Sequence, residues 1–142
     1  CSLGAICAGV EKDKVELWYE FGLNLGLAFQ IQDDYLDTFG DSNFTGKQVG
    51  GDILSDKKTF LYIHTTTNFG VDAFVNTENM QDADKVQSVI STMREAGADS
   101  AAKNLMNAYS SKALDALRAL ALEESHHIMF EDLLSSVTDR IT

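Results

Sequence analysis

Phe29-Gln30-Ile31-Gln32-Asp33-Asp34-Tyr35-Leu36-Asp37 places three carboxylates within five residues, directly after an apolar segment with helical patterning. On a helix Asp33 and Asp37 stand at i and i+4 on one face, where like charges repel and Asp is already a poor helix former. A cation is therefore expected to offset them. One turn back on the same face lies Gln30, and Gly26 and Gly22 continue the stripe. Each mid-helix glycine costs ~1 kcal/mol relative to alanine, so the pair implies open space or a close backbone approach. Two readings follow: a cavity lined by carboxylates, or a solvated acidic helix end whose glycines admit a neighbouring helix.

Upstream, Val15, Leu17, Trp18, Phe21, Leu25, Phe29 and Leu36 sustain a stripe that predicts one long central helix from about Asp13 into the carboxylates. Before it, the small apolar residues from Ser2 to Gly9 suit a helix packed closely against neighbours. Downstream, Gly40-Asp41-Ser42-Asn43 stops the central helix. Thr45-Gly46-Lys47 and Gly50-Gly51 keep the chain irregular until a second helix starts near Asp52 or Ser55. That helix runs through Phe60, Leu61, Ile63 and His64 and ends at Asn68-Phe69-Gly70. After a polar turn from Asn76 to Asp84, Val86, Val89, Ile90 and Met93 mark an amphipathic helix closed by Gly97, and two more helices follow near residues 100–122 and 126–138. Proline is absent and β-branched alternation is scarce, so the fold class is all-α, with 1–142 as a single unit. His64, His126 and His127 are isolated or face different ways and receive no chemistry.

Of 142 residues, 44% are hydrophobic, enough for a real core, and the formal charge of −11 argues against a nucleic-acid backbone or an anionic membrane as the main partner. An anionic substrate would need local rescue by a metal ion or a few lysines. Cys1 and Cys7 are too few for a disulfide framework and point to a reducing, cytoplasmic setting. No apolar run approaches the ~18 residues of a membrane-spanning helix. The chain also opens inside a helical pattern without an initiator Met, from which we expect further chain upstream.

Two common loops fail to account for the acidic cluster. An EF-hand counted from Asp37 would place Phe39 at position three, Ser42 at six and Gln48 at twelve, which are the wrong ligands. A Walker phosphate loop fails because five residues, instead of four, separate Gly40 from Gly46, and Lys47 is followed by Gln48. What remains is a hard cation on aspartate oxygens, with lysines that reach an anion bound to it. Magnesium suits this, since it takes one or two carboxylates plus phosphate oxygens and waters. Lys47 and Lys57 would be the phosphate contacts, and Asp52 either caps the second helix or accepts hydrogen bonds from metal-bound water.

With these residues in view, FQIQDDYLD followed by GD and TGKQVGGDILSDKKT resembles the second aspartate-rich motif and lysine loop of the trans-isoprenyl diphosphate synthases, also called polyprenyl synthetases. The resemblance is close from Cys1 to about Thr59 and continues beyond mainly as helical pattern. It implies an all-α isoprenoid-synthase fold, usually a homodimer, in which an allylic diphosphate is ionised with Mg2+ and condensed with isopentenyl diphosphate. Position by position, it implies that Asp33, Asp34 and Asp37 hold magnesium, that Lys47 and Lys57 contact the allylic diphosphate, and that Gln30 lies by the reacting end of the allyl chain. Apolar walls, including Phe29, would shield the cation from water.

The family's first aspartate-rich motif and its basic residues for isopentenyl diphosphate do not occur in residues 1–142. The chain is thus expected to be a C-terminal portion, inactive in prenyl transfer alone. Thr59 is followed by Phe60-Leu61 where many relatives have Pro, and the chain ends Asp139-Arg140-Ile141-Thr142 without a basic tail, so the expectation is the broad family rather than the farnesyl branch. Its rivals are a terpene cyclase of the same fold and a non-catalytic helical subunit of a prenyl synthase.

Overall fold

The computed structural model describes residues 1–40, 49–77 and 79–138, and the described residues are helical with no strand. Seven α-helices follow in order: α1 (Ser2–Cys7), α2 (Lys12–Phe39), α3 (Gly51–Leu54), α4 (Phe60–Phe69), α5 (Asp82–Glu95), α6 (Ala98–Ala119) and α7 (Glu124–Thr138). A 3₁₀ turn, Val75–Thr77, precedes α5. The expected central helix is α2, whose 28 residues extend about 42 Å at the α-helical rise.

The chain divides into two compact units, Cys1–Gln30 with Leu105–Thr142, and Ile31–Asn104. In the first, Phe21, Ala113, Ala116, Leu117, Leu120 and Leu134 form a buried cluster, with Leu17, Trp18, Leu25 and Phe130 packed on it. Trp18 and Phe21 both meet Phe130 edge-on, at centroid distances of 4.8 and 5.7 Å, a favoured aromatic geometry. The alanines on α6 admit α2 closely, which is why a helix with so many small residues still builds a core. The expectation for the opening segment is only partly met. Ala5 is the buried residue of α1, whereas Leu3 and Ile6 stand exposed.

In the second unit, α5 packs against α3, α4 and the 3₁₀ turn. Its buried residues are Val86, Val89, Ile90 and Met93, the i, i+3, i+4, i+7 set that makes one apolar stripe. Gly97, with φ +74°, follows the helix and turns the chain into α6.

The second helix departs from expectation. Instead of one helix from Asp52 or Ser55 to Asn68, the chain forms the one-turn α3 and then restarts at Phe60. Asp56 takes a left-handed backbone (φ 50°), and extended Thr59 caps α4 by accepting the Tyr62 N–H on its hydroxyl at 3.4 Å. The interruption matters because it carries Lys57.

Candidate functional site

The site is built where α2 ends and the chain comes back to it. The Asp37 carbonyl at the C-terminal turn of α2 accepts the Gly50 N–H at 2.7 Å, satisfying one of the carbonyls that every helix end leaves open. The Asp37 carboxylate accepts the Asp52 N–H on Oδ2 at 2.9 Å. One aspartate thus ties both the main chain and the first turn of α3 to the end of α2.

Gly50 makes this return possible with φ 91°, a conformation that L-residues other than glycine rarely adopt. A Cβ at Gly51 would lie 3.1 Å from Asp37 Oδ1, so glycine there keeps that oxygen approachable. Asp52 does not cap α3 with its side chain; Gly50 holds the N-cap position.

The three carboxylates of the motif occupy three environments. Asp33 is exposed, Asp37 is half-buried, and the Asp34 side chain is 8% exposed. Neither reading of an acidic helix end covers this arrangement completely, since one face of α2 is solvated while Asp34 turns inward beside the buried Tyr35 and Thr38.

A cation that stands beside two of the site's carboxylates, Asp52 and Asp34, is Lys57. Its ammonium donates to both oxygens of Asp52, at 2.9 and 3.1 Å, and lies 3.5 Å from Asp34 Oδ1. The adjacent Lys58 goes elsewhere, over the ring of Tyr62 at 3.8 Å. Sequence adjacency alone does not say which lysine of the pair meets the acids.

The electrostatics follow from these placements. Burial pushes the Asp37 carboxyl above its ordinary value, against the Asp52 N–H that lowers it, and the neighbouring charge of Asp52 adds to the rise. Asp37 is also in the last turn of α2, the negative end of the helix dipole, where the helix itself carries no basic residue, and the charge of Lys57 offsets the rise in part. The hydrogen bond to Asp52 raises Lys57 above the usual lysine value, so its ammonium stays charged.

Among the described residues, no group of three or more His, Cys, Asp or Glu side chains is gathered closely enough to hold a metal by itself. The donors at hand are carboxylate oxygens, without His or thiolate, which suits a hard divalent cation that completes its shell with water and phosphate oxygens. A cavity of about 50 Å³ beside Lys57 and Asp52, lined also by Thr38, Tyr62, Phe74 and Lys85, has room for a water or two and no substrate.

Gln30 is exposed on α2 one turn before Asp33, and Phe29 is exposed beside it. The glycines behind them serve two purposes. A Cβ at Gly22 would meet the Cys1 side chain at 3.1 Å, while Gly26 has nothing within 4 Å and faces open space. Lys47 and Gly46 lie outside the described residues.

The family model described as polyprenyl synthetase matches residues 1–96, which span α1 to α5 and the whole of this site. The chain belongs to the polyprenyl synthetase family. Among similar proteins, a geranylfarnesyl diphosphate synthase from Natronomonas pharaonis is 29% identical over 140 residues, covering 98% of this chain and 40% of the relative. A heptaprenyl diphosphate synthase component 2 from Geobacillus stearothermophilus is 31% identical over 130 residues, 91% of this chain and 41% of the relative. The crystal structure of a geranylgeranyl pyrophosphate synthase superposes with a TM-score of 0.85 at 35% identity, covering 99% of this chain and 46% of that one. This polyprenyl synthetase chain therefore spans less than half the length of the relatives it matches, and its helical fold is theirs.

Proposed function

We propose that this chain contributes the second metal motif and the diphosphate-binding lysines of a Mg2+-dependent trans-prenyltransferase, which condenses an allylic diphosphate with isopentenyl diphosphate. The observation that carries the reading is the meeting of Lys57 with Asp34 at the end of α2, in a chain of this family. The contact brings a lysine ammonium to a carboxylate of the motif within one compact unit, which supports the reading.

In the proposed reaction the allylic C–O bond breaks with its electron pair leaving on diphosphate. The double bond of isopentenyl diphosphate forms the new C–C bond to the allylic cation, and a proton is lost from the adjacent carbon. Mg2+, when bound, would neutralise the charge developing on the leaving diphosphate. Asp33, Asp34 and Asp37 would hold it, and the Lys57 and Lys47 ammonium groups would bind and orient the diphosphate as fixed positive charges that need no solvent reorganisation. Gln30 would stand near the reacting end of the chain, and the exposed Phe29 would help to keep water from it.

The resemblance calls for two aspartate-rich motifs, and residues 1–142 hold one. We therefore propose that the active protein combines this chain with the other motif, as a homodimer of longer protomers, and that 1–142 alone does not elongate prenyl chains. A relative named as component 2 of a heptaprenyl diphosphate synthase favours a second reading, in which the chain is a subunit that works only with a partner.

The test uses the protein bearing both motifs, assayed with an allylic diphosphate, isopentenyl diphosphate and Mg2+. Asp33→Ala should lower turnover by about a hundredfold or more, the scale of losing one transition-state charge stabiliser. Turnover within twofold of the parent would remove Asp33 from the site. Hydrocarbon or alcohol formed without isopentenyl diphosphate would reassign the chemistry to a cyclase, and robust transfer by 1–142 alone would refute the need for the second motif.

A further inference from the structure

The linker between α3 and α4 carries Lys57 on a backbone that its own sequence does not favour. Asp56, the residue before it, has φ 50°, a left-handed conformation that is unfavourable for L-residues, although Asp adopts it more readily than most. Such a residue persists where its surroundings hold it. On the main chain the Asp56 N–H donates to the Ile53 carbonyl at 3.1 Å and the Lys57 N–H to the Asp52 carbonyl at 2.9 Å, both of them local bonds. The hold from a distance is a side chain: Lys85 Nζ, 29 residues further along, donates to Asp56 Oδ1 at 3.0 Å.

Lys85 gains nothing from its place on its own helix. It stands in the first turn of α5, the positive end of the helix dipole, where a cation is disfavoured. Asp82 and Asp84 share that turn, yet the ammonium crosses to Asp56. The Lys85 side chain is 20% exposed and that of Asp56 73%, so the lysine is the covered member of the pair and the aspartate the one it holds. Behind it, α5 is anchored by its buried stripe and packs against α3 and α4. An ion pair this open adds little to global stability. What it sets is the path of the linker, and Asp56, Lys57 and Lys85 border the same cavity of about 50 Å³.

We propose that Lys85 is a positioning residue for the diphosphate site: by pinning Asp56 it fixes the turn that presents the next residue, Lys57, to the substrate. This rests on the reading of Lys57 as a contact of the allylic diphosphate. A lysine ammonium is a point charge on a flexible stem, so its use to a phosphate depends on where its backbone starts. In the protein bearing both motifs, Lys85→Gln should lower kcat/KM for the allylic diphosphate about three- to tenfold, a fraction of what a misplacement near 1 Å can cost, while KM for isopentenyl diphosphate stays within about twofold of the parent. Asp56→Asn, which tolerates the same backbone, should give the same loss, and the double variant no more than either, because both remove one contact. Lys85→Arg keeps the charge and should recover most of the parent value. Amide hydrogen exchange at Asp56 and Lys57 should quicken several-fold in Lys85→Gln with the urea midpoint unchanged, as a local opening requires.

Kinetics of Lys85→Gln equal to the parent overturn the inference. So does a loss as large in the Lys57→Ala background as in the parent, since Lys85 would then meet the substrate by itself. A lowered urea midpoint with equal losses for both substrates would make the pair a fold contact only and overturns it as well. Lys57→Ala separates the two levels of the claim. If it weakens use of the allylic diphosphate while Lys85→Gln changes nothing, the reading of Lys57 stands and the positioning does not. If Lys57→Ala changes nothing, that reading falls and the inference with it.

Discussion

At the residue scale, Asp37 carries two duties that pull in opposite directions. As an acceptor for the Asp52 N–H it profits from negative charge, yet burial raises its carboxyl, and burial is the larger effect. A carboxyl raised on folding binds its proton more tightly in the folded than in the unfolded chain. Stability therefore falls as pH rises from the ordinary carboxylate value through the raised one, and the loss persists at neutral pH. Asp37→Asn keeps an oxygen for the Asp52 N–H but removes the charge. In metal-free buffer it should raise the melting temperature slightly near neutrality and give no gain below about pH 3, where the aspartate is protonated in both states. A variant less stable than the parent at every pH would show that the charge itself holds α3 in place. The same scale explains Lys57 and Lys58. Both are exposed lysines in sequence, and they differ because Tyr62 lies within reach of Lys58 while Asp52 lies within reach of Lys57.

At the scale of elements, periodicity located α2 and α5, and the observed helices contain the expected residues; α5 buries its stripe, whereas on α2 Phe21 is buried and Phe29 of the expected stripe is exposed. The break between α3 and α4 was not legible. Ser55-Asp56-Lys57-Lys58 contains neither Gly nor Pro, and the left-handed Asp56 is held by surrounding structure rather than demanded by its side chain. Lys85, which reaches from α5 to Asp56 at 3.0 Å, is part of that structure. Gly50 is the element-scale residue that the return to α2 requires. Gly50→Ala would force alanine to φ 91° and put its Cβ 2.7 Å from a Val86 methyl. Urea denaturation should show a loss of about 2 kcal/mol or more, combining the left-handed backbone penalty with displacement of Val86. An unchanged midpoint would mean that the return to Asp37 tolerates another backbone path.

For the whole molecule, the all-α class and the family both follow from the chain's own pattern and agree with the superposition on a synthase structure. The buried cluster of the first unit holds Phe21 and Leu117, both fully buried, and has Trp18 packed on it. Trp18 is the one tryptophan of the sequence and so reports on that cluster. Leu117→Ala should cost about 2–5 kcal/mol, transfer and cavity terms together, with a matching shift in urea unfolding followed by Trp18 fluorescence. A loss under 1 kcal/mol would mean that the cluster collapses to fill the gap. Outside the cores, Tyr19, Leu23 and Phe29 of α2 are exposed although helical patterning alone would assign some of them to a core. No helix among the described residues is long and apolar enough to cross a membrane.

Helix content, the long α2, the stripe on α5 and the family were written in the order of the residues, because apolar spacing and the aspartate-lysine pattern are local properties. Tertiary structure alone decided that Asp34 is buried while Asp33 is solvated, that Lys57 rather than Lys58 meets the acids, and that Asp37 anchors Gly50 and Asp52. These depend on which groups distant in sequence are brought within a few ångströms, and charge and burial act through that distance rather than through position along the chain.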